Sequence, residues 1–240
     1  MLYKLVALLT FPVLLIQGKR VKQNALKLPE AAGPRQGNAN NKALPTVNIL
    51  IIGDSSAAGV GVDHQDDAIA GQLANVLKGD INVSWQLIAK TGAQTKDMVA
   101  MLSAATISSP IDIVITSLGV NDVTSLQRSS KWLVAQDKLH EYCLSTLNAK
   151  HIIVSGMPPL HRFPLLPQPL RWIIGSRAKQ LDKQQLKKIK KQPNVSHQAL
   201  PFDLGANAMA IDGFHPGAVA YQVWAASLRE PVLQLNSHQP

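Results

Sequence analysis

The feature that most constrains this fold is a set of short segments that are apolar along nearly their whole length. "VNILII" (47–52), "VSWQLIA" (83–89), "IDIVITSLG" (111–119) and "HIIVSGM" (151–157) each have the length of a strand. A strand with one wet face alternates polar with apolar, whereas near-continuous apolar runs belong to strands buried on both faces. Between them lie helical patterns: "AIAGQLANVLKG" (68–79), "TKDMVAMLSA" (95–104), and Lys131 to Lys150. A basic helix over 178–191 and a final one from Pro216 to Arg229 follow. Strands alternating with helices predict a parallel sheet covered on both sides, and such sheets carry their sites beyond the carboxyl ends of the strands. No internal repeat is visible.

The expected organisation has three parts. Residues 1–28 hold an apolar run, Leu5 to Ile16, interrupted by Pro12 and followed by Lys19, Arg20 and Lys22. The run is short for a spanning helix, which needs about 20 apolar residues. It resembles a signal-peptide core but lacks a small-x-small cleavage site. Trailing positive charge favours a cytoplasmic face. The expectation is an uncleaved membrane anchor or interfacial segment, with a cleaved export signal, giving a periplasmic or secreted protein, as the alternative. Residues 29–45, "PEAAGPRQGNANNKALP", read as a linker, and 46–240 as the folded domain.

The formal charge is +9, but it is concentrated. Residues 1–45 carry seven Lys/Arg against one Glu, and residues 171–191 carry eight against one Asp. The remainder is acidic, and neither basic segment carries interleaved aromatics or a nucleic-acid motif. No nucleic-acid partner is expected. Anionic headgroups suit the two patches, and a solvated helix face explains 178–191 equally well. The single cysteine, Cys143, excludes an internal disulfide and lies among apolar neighbours as a packed hydrophobe. The remaining histidines, 64, 140, 151, 161, 197 and 238, show no metal-ligand spacing and read as surface or capping residues.

The first apolar run stops at "GDSSAAGVG", residues 53–61. Its glycine spacing fits neither dinucleotide nor triphosphate loops, and no Gly-x-Ser-x-Gly elbow is present. Near the other end, "IDGFHPGAVAY" places Asp212 three residues before His215, with Pro216 suited to open a helix. In a turn entering a helix, Asp212 can accept the Nδ1 proton of His215 and leave Nε2 as a base for a nucleophile. Equally, Asp212 can simply cap the helix. Asn121 and Asp122 in "LGVND", and Gly92 in "KTGAQT", read singly as turn residues.

Taken together and in order, "GDSSAAGVG", "KTGAQT", "LGVND" and "DGFHPG" resemble the four signature blocks of the SGNH hydrolase, or GDSL esterase/lipase, superfamily. The resemblance runs from Gly53 to Pro216. It implies a flavodoxin-like three-layer α/β/α sandwich with a mainly parallel five-stranded sheet. It implies Ser55 as nucleophile, His215 as base and Asp212 as its orienting partner. The oxyanion donors would be the N–H groups of Ser55 and Gly92 and the side-chain amide of Asn121. Ser56 stands where the family often has leucine, which leaves two adjacent hydroxyls, of which Ser55 is taken as the reacting one. Asp54 and Asp122 read as structural. No metal or organic cofactor is implied.

Residues 157–175, "MPPLHRFPLLPQPLRWIIG", form a proline-rich apolar stretch with Arg162, Arg171 and Trp172. It reads either as a stiff loop packed on the domain or as an apolar lip that receives acyl chains or touches lipid. With the N-terminal segment, it directs the expectation to a membrane-associated hydrolase of carboxylic (or thio) esters, of lysophospholipase or thioesterase type, acting on acyl lipids such as lysophospholipids. The contact with membrane would run through the N-terminal segment and residues 163–191. The alternatives are a carbohydrate O-acetyl esterase or acyltransferase, or a membrane-tethered binding protein of the same fold without catalysis. The oligomeric state is open.

Overall fold

The computed structural model describes residues 2–38, 44–107, 110–201 and 206–237. Six strands form one sheet: β1 (Gln36–Asn38), β2 (Thr46–Gly53), β3 (Asn82–Ala89), β4 (Ile113–Ser117), β5 (His151–Ser155) and β6 (Val195–Gln198). Their order is β1-β3-β2-β4-β5-β6, and β1 alone runs antiparallel. The helices are α1 (Leu2–Leu9), α2 (Phe11–Asn24), α3 (Ile69–Leu77), α4 (Met98–Ser103), α5 (Val120–Thr124), α6 (Ser129–Glu141), α7 (Leu170–Ile189) and α8 (Ala218–Ser237).

Side chains on a strand point alternately to its two faces. On β2, Val47, Ile49 and Ile51 pack with Leu73 and Leu77 of α3 and Tyr221, Trp224 and Leu228 of α8. Leu50 and Ile52 point the other way, onto Met98 and Leu102 of α4, Leu139 of α6 and Ile189 of α7. The result is the expected three-layer α/β/α sandwich. Cys143 lies in the second core, fully buried, and burial pushes its thiol up to about 12.

The expected five-stranded sheet is corrected to six, and the source of the extra strand corrects the linker as well. Gln36–Asn38, inside the segment read as a linker, pairs with Gln86, Trp85 and Ser84 on the open side of β3. An unpaired sheet edge leaves a row of unbonded N–H and C=O groups, and this short strand covers part of it. The same segment is fixed elsewhere: Ala31 is buried, and Ala32 bridges to His64. Residues 39–43 of the expected linker lie outside the described residues.

The chain leaves β2 for β3 on one side and then crosses to β4 on the other. That reversal beside β2 is the switch point at which open α/β sheets place their ligands. Register sharpens the point, because Gly53 pairs with Ala89 of β3 and with Ser117 of β4. The three strands therefore end level, and the loops starting at Asp54, Lys90 and Leu118 emerge side by side.

The apolar run at the N-terminus is two helices that meet at Thr10, with Pro12 in the first turn of α2 where its missing N–H costs nothing. No helix among the described residues is long and apolar enough to cross a membrane.

Candidate active site

Ser55 follows β2 by two residues and is buried. Its loop is held from below by α8, where the Tyr221 hydroxyl lies 2.9 Å from both the Ser56 and Val60 carbonyl oxygens. His215 arrives from the loop before α8. Met209 and Pro216 pair as an isolated antiparallel bridge, and the Ala210 N–H donates to the His215 carbonyl at 2.8 Å. The two loops meet at Gly61. Its φ is +108°, and a Cβ there would sit 2.1 Å from the Pro216 carbonyl oxygen. Only glycine permits that conformation and that approach of one backbone to another.

This contact brings together residues 160 apart in sequence: His215 Nε2 lies 3.0 Å from Ser55 Oγ. His215 Nδ1 lies 2.5 Å from Asp212 Oδ2. Asp212 Oδ1 accepts the N–H groups of Phe214 and His215 at 2.9 and 3.0 Å, so one carboxylate shapes the turn and orients the ring. The helix-cap alternative for Asp212 is not realised: α8 starts at Ala218, and the carboxylate bonds only the turn that carries His215. Burial pushes the Asp212 carboxyl up, but the bonds from His215 and Phe214 outweigh it and hold it below the usual range. Of the two adjacent hydroxyls, Ser55 reaches His215, while the Ser56 N–H donates to Asp54 Oδ1 at 3.1 Å.

Asn121, in α5 after β4, faces the same cleft. Its Nδ2 donates to the Ala93 carbonyl at 3.0 Å and makes a longer contact of 3.4 Å with Asp54 Oδ2. Gly92 lies exposed in the turn after β3 at φ +83°, with open space where a Cβ would be. It does not line the cleft; the bond from Asn121 to Ala93 links its turn to the site.

Three further groups support these loops: Asp54 and Asp122, which sit inside the quoted motifs and are read there as structural, and Glu30, which carries no readable motif. Asp122 is fully buried and its Oδ2 accepts the Thr95 N–H and hydroxyl at 3.1 and 2.9 Å. The Trp132 indole donates to the same hydroxyl at 3.1 Å, so the loops after β3 and β4 and helix α6 are tied together. Glu30, in the expected linker, accepts the Thr91 N–H and hydroxyl at 2.7 and 2.8 Å and so fixes the turn carrying Gly92. Asp54 is buried beside Ser55, and burial pushes its carboxyl up to about 7, against the pull of the Ser56 N–H and His215.

The cleft opens from Ser55 onto an apolar wall of Leu118, Val120, Phe163, Met209, Phe214 and Trp224, with Arg162 also lining it. The stretch read as a lip splits. Leu160, Phe163 and Leu166 are buried against Val123, Trp132 and Ile174, as a packed loop requires, while Trp172 remains 37% exposed. Arg171 donates to the Leu166 and Pro164 carbonyls, so its guanidinium braces that loop.

Two of the remaining histidines depart from their expected surface positions. His140 is buried and the side chain of His197 is 6% exposed, with Nδ1 of His140 3.0 Å from Gln192 and Nε2 of His197 3.0 Å from Asp182. His238 lies outside the described residues. Among the described residues no cluster of three or more His, Cys, Asp or Glu is arranged to hold a metal ion.

The model of the GDSL-like lipase/acylhydrolase family matches residues 51–223, which run from the end of β2 into α8 and hold Ser55, Gly92, Asn121, Asp212 and His215. The chain belongs to that family. A GDSL-like esterase of Mycobacterium tuberculosis is 28% identical over 192 residues, covering 75% of this chain. The match covers 59% of that relative's length. Among solved structures, a lipase from a goat rumen metagenome superposes with a TM-score of 0.61 at 17% identity, covering 77% of this chain and 96% of that one. A family 3 carbohydrate esterase of Clostridium thermocellum gives 0.64 at 15% identity, covering 80% and 98%. At such identities the likeness speaks for the GDSL-type fold, and the two neighbours' names divide between lipase and carbohydrate esterase.

Proposed function

We propose that this protein hydrolyses carboxylic esters through an acyl-enzyme on Ser55, and that its substrates are acyl lipids such as lysophospholipids. The observation that carries the reading is the hydrogen-bonded series Ser55–His215–Asp212 at the head of an apolar-walled cleft. A serine hydroxyl is a weak nucleophile until a base stands within hydrogen-bond reach. As Ser55 Oγ attacks the ester carbonyl, its proton passes to His215 Nε2. Asp212 holds the ring's orientation and stabilises the imidazolium. The carbonyl oxygen becomes an oxyanion, which the N–H group of Ser55 and the Asn121 amide, both lining the cleft, stabilise; the expected third donor, Gly92, lies outside the cleft and takes no part here. The Asn121 amide turns to it from its long contact with Asp54. Collapse breaks the bond to the leaving alcohol, which takes the proton from His215. Water then loses a proton to His215 and attacks the acyl carbon; collapse breaks the bond to Ser55 Oγ, which takes that proton back from His215 as the acid leaves.

Substrate choice follows from the wall. Leu118, Phe163, Phe214 and Trp224 offer apolar surface where an acyl chain would extend from Ser55, and each buried methylene contributes about 0.8 kcal/mol. The second reading, a carbohydrate O-acetyl esterase, draws support from the carbohydrate esterase among the structural neighbours. Aryl esters from acetyl to decanoyl, a lysophospholipid and an acetylated sugar, assayed on purified protein, separate the two. The acyl-lipid reading requires kcat/KM to rise with chain length. Preference for the acetylated sugar rejects it. Ser55→Ala must lose turnover by roughly 10⁴-fold or more together with fluorophosphonate labelling, with the fold retained. Labelling of the variant rejects the nucleophile.

A further inference from the structure

Helices α1 and α2 dock on the domain with the wrong side out for a water-facing helix pair. The positions partly covered by the domain are Tyr3, Val6, Ala7, Thr10, Leu14, Gln17, Gly18 and Val21, spaced as one helical stripe. Several of the contacts that hold this stripe are polar: the Tyr3 hydroxyl donates to Gln180 of α7, Gln17 Nε2 donates to the Gln168 carbonyl at 2.7 Å, and Gln17 Oε1 accepts the Leu170 N–H at 3.2 Å. Val21 adds a contact with the apolar cluster beneath α7. The outward positions are Leu5, Leu8, Leu9, Phe11, Val13, Leu15 and Ile16, and Leu8 and Leu9 are each 74% exposed. Soluble domains rarely display a contiguous apolar patch of this kind without a use for it.

Charge identifies what covers it. The first 29 residues contain Lys4, Lys19, Arg20, Lys22 and Lys27 and no acid, and the four cations in α1 and α2 are exposed. Lys179 and Lys183, exposed on α7, lie one before and three after Gln180, which holds Tyr3. A second copy seated face to face would bring these cations against their equivalents, whereas an anionic surface would neutralise them. The helices are about 12 and 21 Å long at 1.5 Å per residue, short of the hydrocarbon core of about 30 Å. They are dimensioned to lie in the interface with the apolar side sunk among acyl chains and the basic flanks at headgroup level. Trp172, exposed two residues after Leu170, stands beside them as an interfacial aromatic.

We propose that α1 and α2 form a non-spanning anchor that seats the protein on an anionic lipid bilayer. The loop that walls the cleft at Phe163 continues to Gln168 and Leu170, the residues that hold Gln17, so the anchor and the cleft wall share one segment. The proposal deepens the acyl-lipid reading, but its test does not depend on catalysis.

Full-length protein is sedimented with vesicles of phosphatidylcholine alone and with one quarter phosphatidylglycerol, using both wild type and Ser55→Ala. Both proteins are expected to bind the anionic vesicles at least tenfold more tightly than the neutral ones. Lys19→Gln/Arg20→Gln/Lys22→Gln should weaken that binding by roughly fivefold per removed cation. Leu8→Ser/Leu9→Ser/Phe11→Ser/Ile16→Ser should weaken binding to both vesicle types at least tenfold at an unchanged thermal midpoint. Equal sedimentation of wild type and the apolar variant overturns the proposal. So does a stable dimer by light scattering that ignores vesicles, or a mature protein whose N-terminus begins beyond residue 28. Vesicle binding by Ser55→Ala with no turnover by wild type would leave the anchor standing and reject the hydrolase reading.

Discussion

Two aspartate–histidine pairs lie on opposite sides of β5, and only one of them has the makings of a site. At the cleft, Asp212 holds His215 by Nδ1, and Nε2 is left for Ser55. At the seam between α7 and β6, Asp182 Oδ1 lies 3.0 Å from Nε2 of His197 and also accepts the Met157 N–H at 2.9 Å. Both carboxyls are pushed up by burial and pulled below the usual range by their hydrogen bonds. The His197 side chain is 6% exposed, against 17% for His215, and does not line the cleft. A carboxylate beside an imidazole therefore identifies nothing by itself; a hydroxyl on the far nitrogen and a route for substrate make the difference.

The contrast is tested most severely by matched substitutions. Asp212→Asn should lower kcat for an aryl ester by about 10⁴-fold, because an amide can hold the ring in the wrong tautomer. Asp182→Asn should leave kcat within about threefold and lower the thermal midpoint by a few degrees, the cost of roughly 1–2 kcal/mol from a weakened buried bond. Equal kinetic losses from the two would erase the distinction. Asn121→Ala belongs to the cleft side and should reduce kcat about 10²–10³-fold through loss of one oxyanion donor. KM should change little.

The last contrast concerns pH, where the two sides pull in opposite directions. Asp182 has a lowered folded pKa, so its contribution to stability is present above its unfolded value and disappears as pH falls. Asp54 has its folded pKa raised to about 7 from 3.8, so the folded state keeps a proton that the unfolded chain releases. Its contribution is fully present below about pH 4 and is lost as pH rises through about 7. Asp54→Asn should remove that loss: the midpoint difference, variant minus wild type, grows between pH 4 and 7 and levels off above. Thermal melts across that range check the sign. A difference that shrinks with rising pH would show that Asp54 is ionised in the folded protein.

How much of this was legible in the sequence depends on what wrote the signal. The strands β2 to β5 were readable because burial on both faces forces apolar residues at successive positions. β1 was hidden because an exposed edge makes no such demand: "QGN" pairs by its backbone alone. β6, "VSHQ", is similarly weak. The last helix continues past Arg229 to Ser237 despite Pro231, and Leu228 and Val232 on either side of that proline are buried against the core. Of the site, Ser55, Asp212 and His215 were found from the order of their motifs, and the structure places these three within reach of one another. Glu30, Thr95 and Trp132 were not, because they act by holding loops from distant segments and have no local pattern. The Asp182–His197 pair was missed for the same reason, as a contact across elements that leaves no spacing to read.

The press of Gly61 against Pro216 has a consequence for biosynthesis. Ser55 is translated early and His215 late, and the two are joined by closing a loop of 160 residues, a long-range contact of the slow kind. In a ribosome-bound chain, Ser55 has no contact with His215 until the segment leading into the final helix has packed on the sheet. Under the proposed mechanism, esterolytic competence would report that the whole sandwich has assembled, and a probe directed at Ser55 would count finished molecules.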